Sequence, residues 1–271
     1  MPIKLVIISA NEIRHKFFRR KISKFKKINL RLCLAEKNNT RHFHQIYKSS
    51  ESTKNEKKHF QNRAESEKKY FLTFIKKNKE VNNLLLIDRG EFNYNKKIWK
   101  KIYKIKPDLI ISYGCSIIKK PLISKYKNKF INIHLGLSPY YKGSATNFWP
   151  FVYNKLQFLG VTFMKIDDGI DTGEILHQFR AELKPEDTVH DVGNKLIIKM
   201  TEELEKLILN FRKIKSFKQN KNLTQKVFKK RDFNENSLIK LNKNKKREII
   251  KKYLSKKSKI DKNYPIIEMK I

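Results

Sequence analysis

One stretch of this chain carries side chains suited to moving protons: Asn132-Ile133-His134-Leu135-Gly136-Leu137-Ser138-Pro139-Tyr140-Tyr141-Lys142-Gly143. Phe130–His134 reads as a β-strand. Side chains alternate between the faces of a strand, so Asn132 and His134 point the same way. An amide donor and an imidazole thus project together from a strand end into a loop shaped by glycine and proline. Such a pair can polarise a carbonyl and transfer a proton. A strand end capped by a hydrogen-bonded histidine fits the same residues equally well. A second stretch, Gly160–Ile175, contains an apolar strand, the loop Asp167-Asp168-Gly169-Ile170-Asp171-Thr172-Gly173, and the start of another strand. Three carboxylates in five positions can bind a divalent cation. The D-x-D-x-D-G spacing of a calcium loop is missing, however, and one aspartate can instead serve a histidine.

The rest of the chain must position these groups. Ile3–Ser9 is a short β-branched apolar run that predicts a buried parallel strand. A basic helix over Glu12–Phe25 and a strand over Ile28–Leu34 follow. Residues 36–82 are polar, with Phe60, Tyr70, Phe71 and Phe74 at near-helical spacing, and predict a long exposed helix. Further strands are expected at Leu84–Ile87, Asp108–Gly114, Leu159–Ile166 and Glu174–Phe179, with a helix ending before Pro107. Residues 187–213 carry a clean amphipathic pattern, from Val189 to Ile208, with Asp187 or Thr188 as N-cap. This alternation predicts an α/β fold with an open, mostly parallel sheet and helices on both faces. Ligands bind beyond the carboxyl ends of such strands, which puts Gly114, His134 and the 167–173 loop on one rim. Residues 1–213 read as the main domain. Residues 214–271 are lysine-rich and read as an extension with a strand over Val227–Phe233 and one helix over Ser237–Leu254.

Composition narrows the function classes. The formal net charge is +37, carried by 52 lysines and 11 arginines. Readers of phosphates and bases lean on arginine, whose planar fork binds bidentately. Lysine, isoleucine and asparagine share A/T-rich codons, so an A/T-rich genome accounts for the excess. An anionic partner surface is the competing account. Two cysteines, Cys33 and Cys115, make no disulfide framework. There is no G-x-x-x-x-G-K-[ST], no G-x-G-x-x-G after the first strand and no G-x-S-x-G. His42 and His44 sit in a basic, polar stretch and read as surface residues. No run of 18 apolar residues and no signal-peptide pattern is present, so a soluble, cytoplasmic protein without membrane partners is expected.

Taken together, Asn132, His134, Gly136–Pro139, Tyr141–Gly143, Gly160–Thr162 and Asp167–Ile175 resemble the family of formyltransferases that use 10-formyltetrahydrofolate. The family pattern is N-x-H, a short S-L-L-P-like loop, an aromatic or basic residue before glycine, then G-V-T and D-x-G-x-D-x-G-x-I. The resemblance runs from about residue 108 to residue 205, and Ser112-Tyr113-Gly114 matches the family's strand-turn near the folate pterin. Two departures stand out. Gly136-Leu137-Ser138-Pro139 replaces S-L-L-P, and Ser144–Pro150 replaces the usual start of the next helix.

The resemblance implies a Rossmann-like formyltransferase fold and a formyl transfer to a primary amine, with 10-formyltetrahydrofolate as co-substrate and no metal. It implies that Asn132 donates to the oxyanion and that His134 is proton donor and second oxyanion partner. Asp171 would stabilise charged His134 and hold a relay water. Asp171, as the last aspartate of its loop, is preferred over Asp167, which would cap the loop backbone. Folate contacts are implied for Ser116, Ile117, Ile118, Asn132, Gly136, Leu137, Ser138, Pro139, Asp167, Asp168 and Gly169. Methionyl-tRNA formyltransferases carry a sizeable C-terminal barrel, and glycinamide ribonucleotide formyltransferases usually end near the core. The modest stretch 214–271 therefore points to a small-molecule acceptor, with a nucleotide-linked amino sugar foremost. Glycinamide ribonucleotide and methionyl-tRNA are the alternatives. A non-catalytic, basic nucleic-acid-binding protein is the reading from another class.

Overall fold

The apolar runs become β1 (Ile3–Ser9), β2 (Ile28–Glu36), β3 (Leu84–Ile87), β4 (Leu109–Tyr113), β5 (Phe130–His134), β7 (Gly160–Lys165) and β8 (Ile175–Arg180). These join in one seven-stranded sheet, ordered β3-β2-β1-β4-β5-β7-β8. The structure, a computed structural model, describes residues 1–37, 50, 52–224 and 226–270. The strands from β3 to β5 are parallel, whereas β7 and β8 add antiparallel to that edge. Alternation along β1 serves two layers. Leu5 and Ile7 face one core and Val6 and Ile8 the other, all without exposed surface. A central strand covered on both faces needs this unbroken apolar run.

The helices are α1 (Ile13–Ile22), α2 (Lys54–Lys77), α3 (Lys96–Ile105), α4 (Leu122–Tyr126), α5 (Trp149–Val152), α6 (Val189–Asn210), α7 (Glu235–Lys246), α8 (Ile249–Leu254) and α9 (Lys257–Lys262). One face of the sheet carries α1, α2 and α6, and the other carries α3 and α4. Thr188 caps α6 and forms a reciprocal capping box with Asp191. Its apolar stripe, Val192, Leu196, Met200, Leu204 and Ile208, is buried.

Three expectations need correction. The helix expected within 36–82 occupies 54–77 and is not an exposed one, because Phe60 and Phe71 are buried and Phe71 packs on Phe17 of α1 at 4.9 Å between ring centroids. Residues 38–49 and 51 lie outside the described residues. The single helix expected over Ser237–Leu254 is broken between α7 and α8. Glu248 takes a left-handed backbone there (φ 51°), which turns Ile249 and Ile250 into the main core. The strand expected over Val227–Phe233 is cut to β9 (Lys226–Phe228). Its pairing partner β6 (Tyr141–Gly143) is only three residues long, and the chain tightens into a 3₁₀ turn at Lys230–Asp232.

The extension is integral to the packing. Phe228 and Leu238 share an aromatic cluster with Tyr140, Tyr141, Trp149 and Phe158, while Tyr253 joins the main core. Phe228 stacks on Trp149 with centroids 4.6 Å apart and on Tyr141 at 5.5 Å. The backbone near Ile267 bonds in both directions with Gln178 of β8.

Candidate active site

β4 and β5 run side by side and place Ser112 opposite Asn132. The Ser112 hydroxyl donates to Asn132 Oδ1 at 2.9 Å, which fixes the amide with its nitrogen turned away from Ser112. Asn132 Nδ2 then donates to Asp171 Oδ1 at 3.2 Å. An amide nitrogen has two hydrogens, so the second is left for an oxyanion. Asp171 Oδ2 lies 3.3 Å from His134 Nδ1 and accepts the Gly143 backbone N–H at 2.8 Å. One carboxylate thus gathers Asn132, His134 and Gly143.

His134 is only 6% exposed. Its Nε2 donates to the Tyr141 carbonyl at 2.9 Å. Both ring nitrogens face oxygen acceptors, an arrangement that the imidazolium satisfies in full. Gly136 lies close beneath the ring, since a Cβ at that position would come within 2.6 Å of Nε2. For Nε2 to meet a formyl oxygen, that oxygen must compete with the Tyr141 carbonyl.

The acidic loop reaches this site by an unexpected route. β7 runs antiparallel to β5, so the loop is rooted at the amino end of β5, where Ile166 N donates to Phe130 O at 2.9 Å. The loop nevertheless meets the carboxyl end of β5, where Asp171 reaches His134 and the Gly143 amide. In the structure the loop folds back along β5, and Asp171 completes the turn in a left-handed conformation (φ 52°). Asp167 Oδ1 ties the loop internally, accepting from Gly169 N at 3.1 Å and Thr172 Oγ1 at 2.7 Å. Asp168 faces solvent and pairs with exposed Lys120 at 3.6 Å, which bridges the loop to residues 114–121.

The residues implied as folate contacts fall into two groups. Gly136, Leu137, Ser138 and Pro139 are buried. They are held from below by Thr162, whose hydroxyl donates to Gly136 O at 2.7 Å and accepts Ser138 N at 3.0 Å. Leu137 packs in the aromatic cluster with Tyr140 and Tyr141. Ile118 is also buried, while Ile117 is 62% exposed and Ile170, across the Lys120–Asp168 bridge, is 45% exposed. Two bare aliphatic side chains on neighbouring polar loops suit a flat ring system. The Ser116 N–H and Ile117 carbonyl, expected to clasp it, are already bonded to Glu36 Oε2 and Asn93 Nδ2 at 3.0 and 2.9 Å.

The electrostatics around the site are mixed. Lys142, 3% exposed on β6, has its ammonium pKa drawn down by burial, against the opposing pull of Asp171 and Asp167. Glu67 of α2 accepts from Arg14, at the start of α1, at 2.6 Å and from Arg63 of its own helix at 3.0 Å. Burial acts to raise the Glu67 carboxyl, but the two guanidinium groups outweigh it and hold the pKa at about 2. Among the described residues no group of three or more His, Cys, Asp or Glu is arranged to hold a metal ion, and no helix is long and apolar enough to cross a membrane. His42 and His44 lie outside the described residues.

Sequence reasoning brought Asn132, His134 and Asp171 together and missed their supports. Ser112 was legible as the strand neighbour on the same face. The Tyr141 carbonyl and Gly143 amide are backbone groups, which leave no trace in residue type. Gln219, which holds the Asp171 backbone, sits in a lysine-rich stretch with no motif.

The model of the formyl transferase family matches residues 29–208. The chain belongs to that family, and the match takes in much of the first hundred residues, where the sequence resemblance is loose. Over 124 residues the chain is 29% identical to the methionyl-tRNA formyltransferase of Finegoldia magna, covering 44% of this chain and 38% of that one. Over 116 residues it is 34% identical to the methionyl-tRNA formyltransferase of Thermodesulfovibrio yellowstonii, covering 42% and 37%. These alignments span well under two thirds of either relative. In fold, the chain resembles an N-formyltransferase from Helicobacter canadensis, solved with folinic acid and dTDP-3-aminofucose. That likeness has a TM-score of 0.53 at 22% identity and covers 90% of this chain and 80% of that one. Phosphoribosylglycinamide formyltransferase from Anaplasma phagocytophilum superposes with a TM-score of 0.54 at 15% identity, covering 85% and 96%.

Proposed function

We propose that the protein transfers a formyl group from 10-formyltetrahydrofolate to a primary amine of a small-molecule acceptor, with nucleotide-linked amino sugars the leading class. The observation that carries this reading is the single Asp171 carboxylate that holds both the Asn132 amide and the His134 imidazole. The acceptor amine attacks the formyl carbon, and a carbon–nitrogen bond forms. The carbonyl oxygen takes on negative charge beside the second Asn132 N–H. A preorganised donor of that kind is worth roughly 10²–10³ in rate. As the tetrahedral centre collapses, the bond to the folate nitrogen breaks, and the proton lost by the amine ends on that leaving nitrogen. His134, set between Asp171 and the Tyr141 carbonyl, is the group that supplies and regains a proton, a role worth about 10²–10⁴.

The flat folate ring finds its apolar surfaces at Ile117 and Ile170. The sugar-nucleotide class draws its support from the structural neighbour from Helicobacter canadensis, solved with dTDP-3-aminofucose. The described residues of the extension pack onto β6 and the aromatic cluster beside the site. Methionyl-tRNA is the second reading, favoured by the names of the two curated relatives.

The test offers 10-formyltetrahydrofolate and a panel of amines: nucleotide-linked amino sugars, glycinamide ribonucleotide and methionyl-tRNA. Each is read by the mass gain of one formyl group. Formylation of a sugar nucleotide supports the first reading, and formylation of methionyl-tRNA alone replaces it with the second. Protein-dependent gain by none of them removes both.

A further inference from the structure

Asp171 adopts a left-handed backbone without being glycine (φ 52°). Such a conformation is strained and persists where the surroundings impose it. On the side-chain side, Asn132, His134 and the Gly143 amide hold the carboxylate. On the backbone side, one residue of the extension does the holding. Gln219 Nε2 donates to the Asp171 carbonyl at 2.9 Å and to the Gly173 carbonyl at 2.7 Å. The two bonds straddle the last turn of the loop and fix the direction in which Asp171 presents its side chain. Gln219 is itself anchored close by. Phe217 exchanges both backbone hydrogen bonds with Ile175, at 2.8 and 2.9 Å, and the Ser216 hydroxyl donates to Glu174 at 2.6 Å. The other half of the amide is idle, for Gln219 Oε1 is buried with no partner. Only the donor end does work here.

We propose that Gln219 is a positioning residue for formyl transfer, acting by holding the Asp171 backbone so that its carboxylate spans Asn132, His134 and Gly143. This rests on the function proposed above for the same three residues. It makes residues 216–219, outside the matched family segment, part of what sets the catalytic geometry.

The donor-only pattern defines the test, made on the full chain. Gln219→Glu keeps the shape and removes the donors, whereas Gln219→Lys keeps a donor and removes the idle oxygen. In Gln219→Glu, kcat should fall roughly 10–100-fold, the range expected when a reacting group is displaced by about an ångström. KM for folate should stay within about twofold, because Ile117 and Ile170 are untouched, and Gln219→Lys should recover most of the loss. A second readout needs no acceptor. The proton between His134 Nδ1 and Asp171 should give a hydrogen-bonded imidazole signal in ¹⁵N-histidine NMR that weakens in Gln219→Glu and returns in Gln219→Lys. Equal kcat and an unchanged imidazole signal in Gln219→Glu would overturn the proposal, as would equal losses in both variants. If wild type transfers no formyl group, the functional reading fails alone, and the NMR comparison still decides whether Gln219 sets Asp171.

Discussion

At the scale of single residues, the site is a set of hydrogen bonds with one geometry. Ser112 fixes which end of the Asn132 amide faces the reaction. Ser112→Ala leaves Oδ1 without that donor and lets the amide turn. The formyl-transfer rate should drop roughly tenfold, since this bond governs an oxyanion donor worth roughly 10²–10³. Stability should change by about 1 kcal/mol, the usual net worth of one hydrogen bond. Single-turnover rates beside thermal melts separate the two effects. Glu67 is a residue whose charge matters to the fold. Its carboxyl is held at about 2, below the ordinary 4.5, by Arg14 and Arg63 acting against burial. A depressed carboxylate stabilises the fold fully above about 4.5 and loses that contribution as pH falls toward about 2. Melting temperature should therefore fall across that window in wild type. In Glu67→Gln it should start lower at neutral pH and fall less steeply.

At the scale of elements, the three-residue strand β6 carries more than its length suggests. Its Tyr141 carbonyl takes His134 Nε2, its Gly143 N–H takes Asp171, and its outer edge pairs with β9. Gly143 has φ +90° and lies against the Phe228 backbone carbonyl, so no side chain fits there. Gly143→Ala should force β6 and β9 apart, lower stability by about 1–2 kcal/mol and cost more than tenfold in rate. Normal activity in a folded Gly143→Ala protein would show that β6 does not hold the pair. The elements also show what was legible. β1 and β4 were readable because a strand buried on both faces runs almost continuously apolar, β5 because its apolar residues end on polar ones at period two, and α6 because its stripe repeats at helical spacing. The meeting of the acidic loop with His134 was legible from its motif, but the antiparallel direction of β7 was not, because nothing in Gly160–Lys165 tells how its neighbour runs. β6 was unreadable, since Tyr141-Lys142-Gly143 is a strand only because β9 lies beside it. The break at Glu248 was missed because the core pulls in Ile249 and Ile250 against local helical preference.

At the scale of the whole molecule, residues 214–270 complete the core and the site. Removal of everything after Asn220 would delete Phe228, Leu238, Ile249, Ile250 and Tyr253, all buried, and bare the faces of Tyr141, Trp149 and the main core that they cover. Burying a large apolar side chain contributes about 1.5–3 kcal/mol, and a domain's net stability is only about 5–15 kcal/mol. The truncated protein should therefore melt far lower or aggregate, and retention of the wild-type melting temperature would contradict the packing described. The residues of the candidate site were legible because motif spacing survives as chemistry. The integration of the lysine-rich extension was not, because its anchors, Phe228, Tyr253 and Gln219, are scattered singly among lysines.

The most direct measurement of the central claim is the single-turnover rate of formyl loss from 10-formyltetrahydrofolate to a formylated amine, in wild type and in folded His134→Ala. Asn132, His134 and Asp171 acting as one constellation require a rate at least 10²-fold lower in the variant, with folate binding retained. A His134→Ala protein that transfers the formyl group within a few-fold of wild type would contradict it.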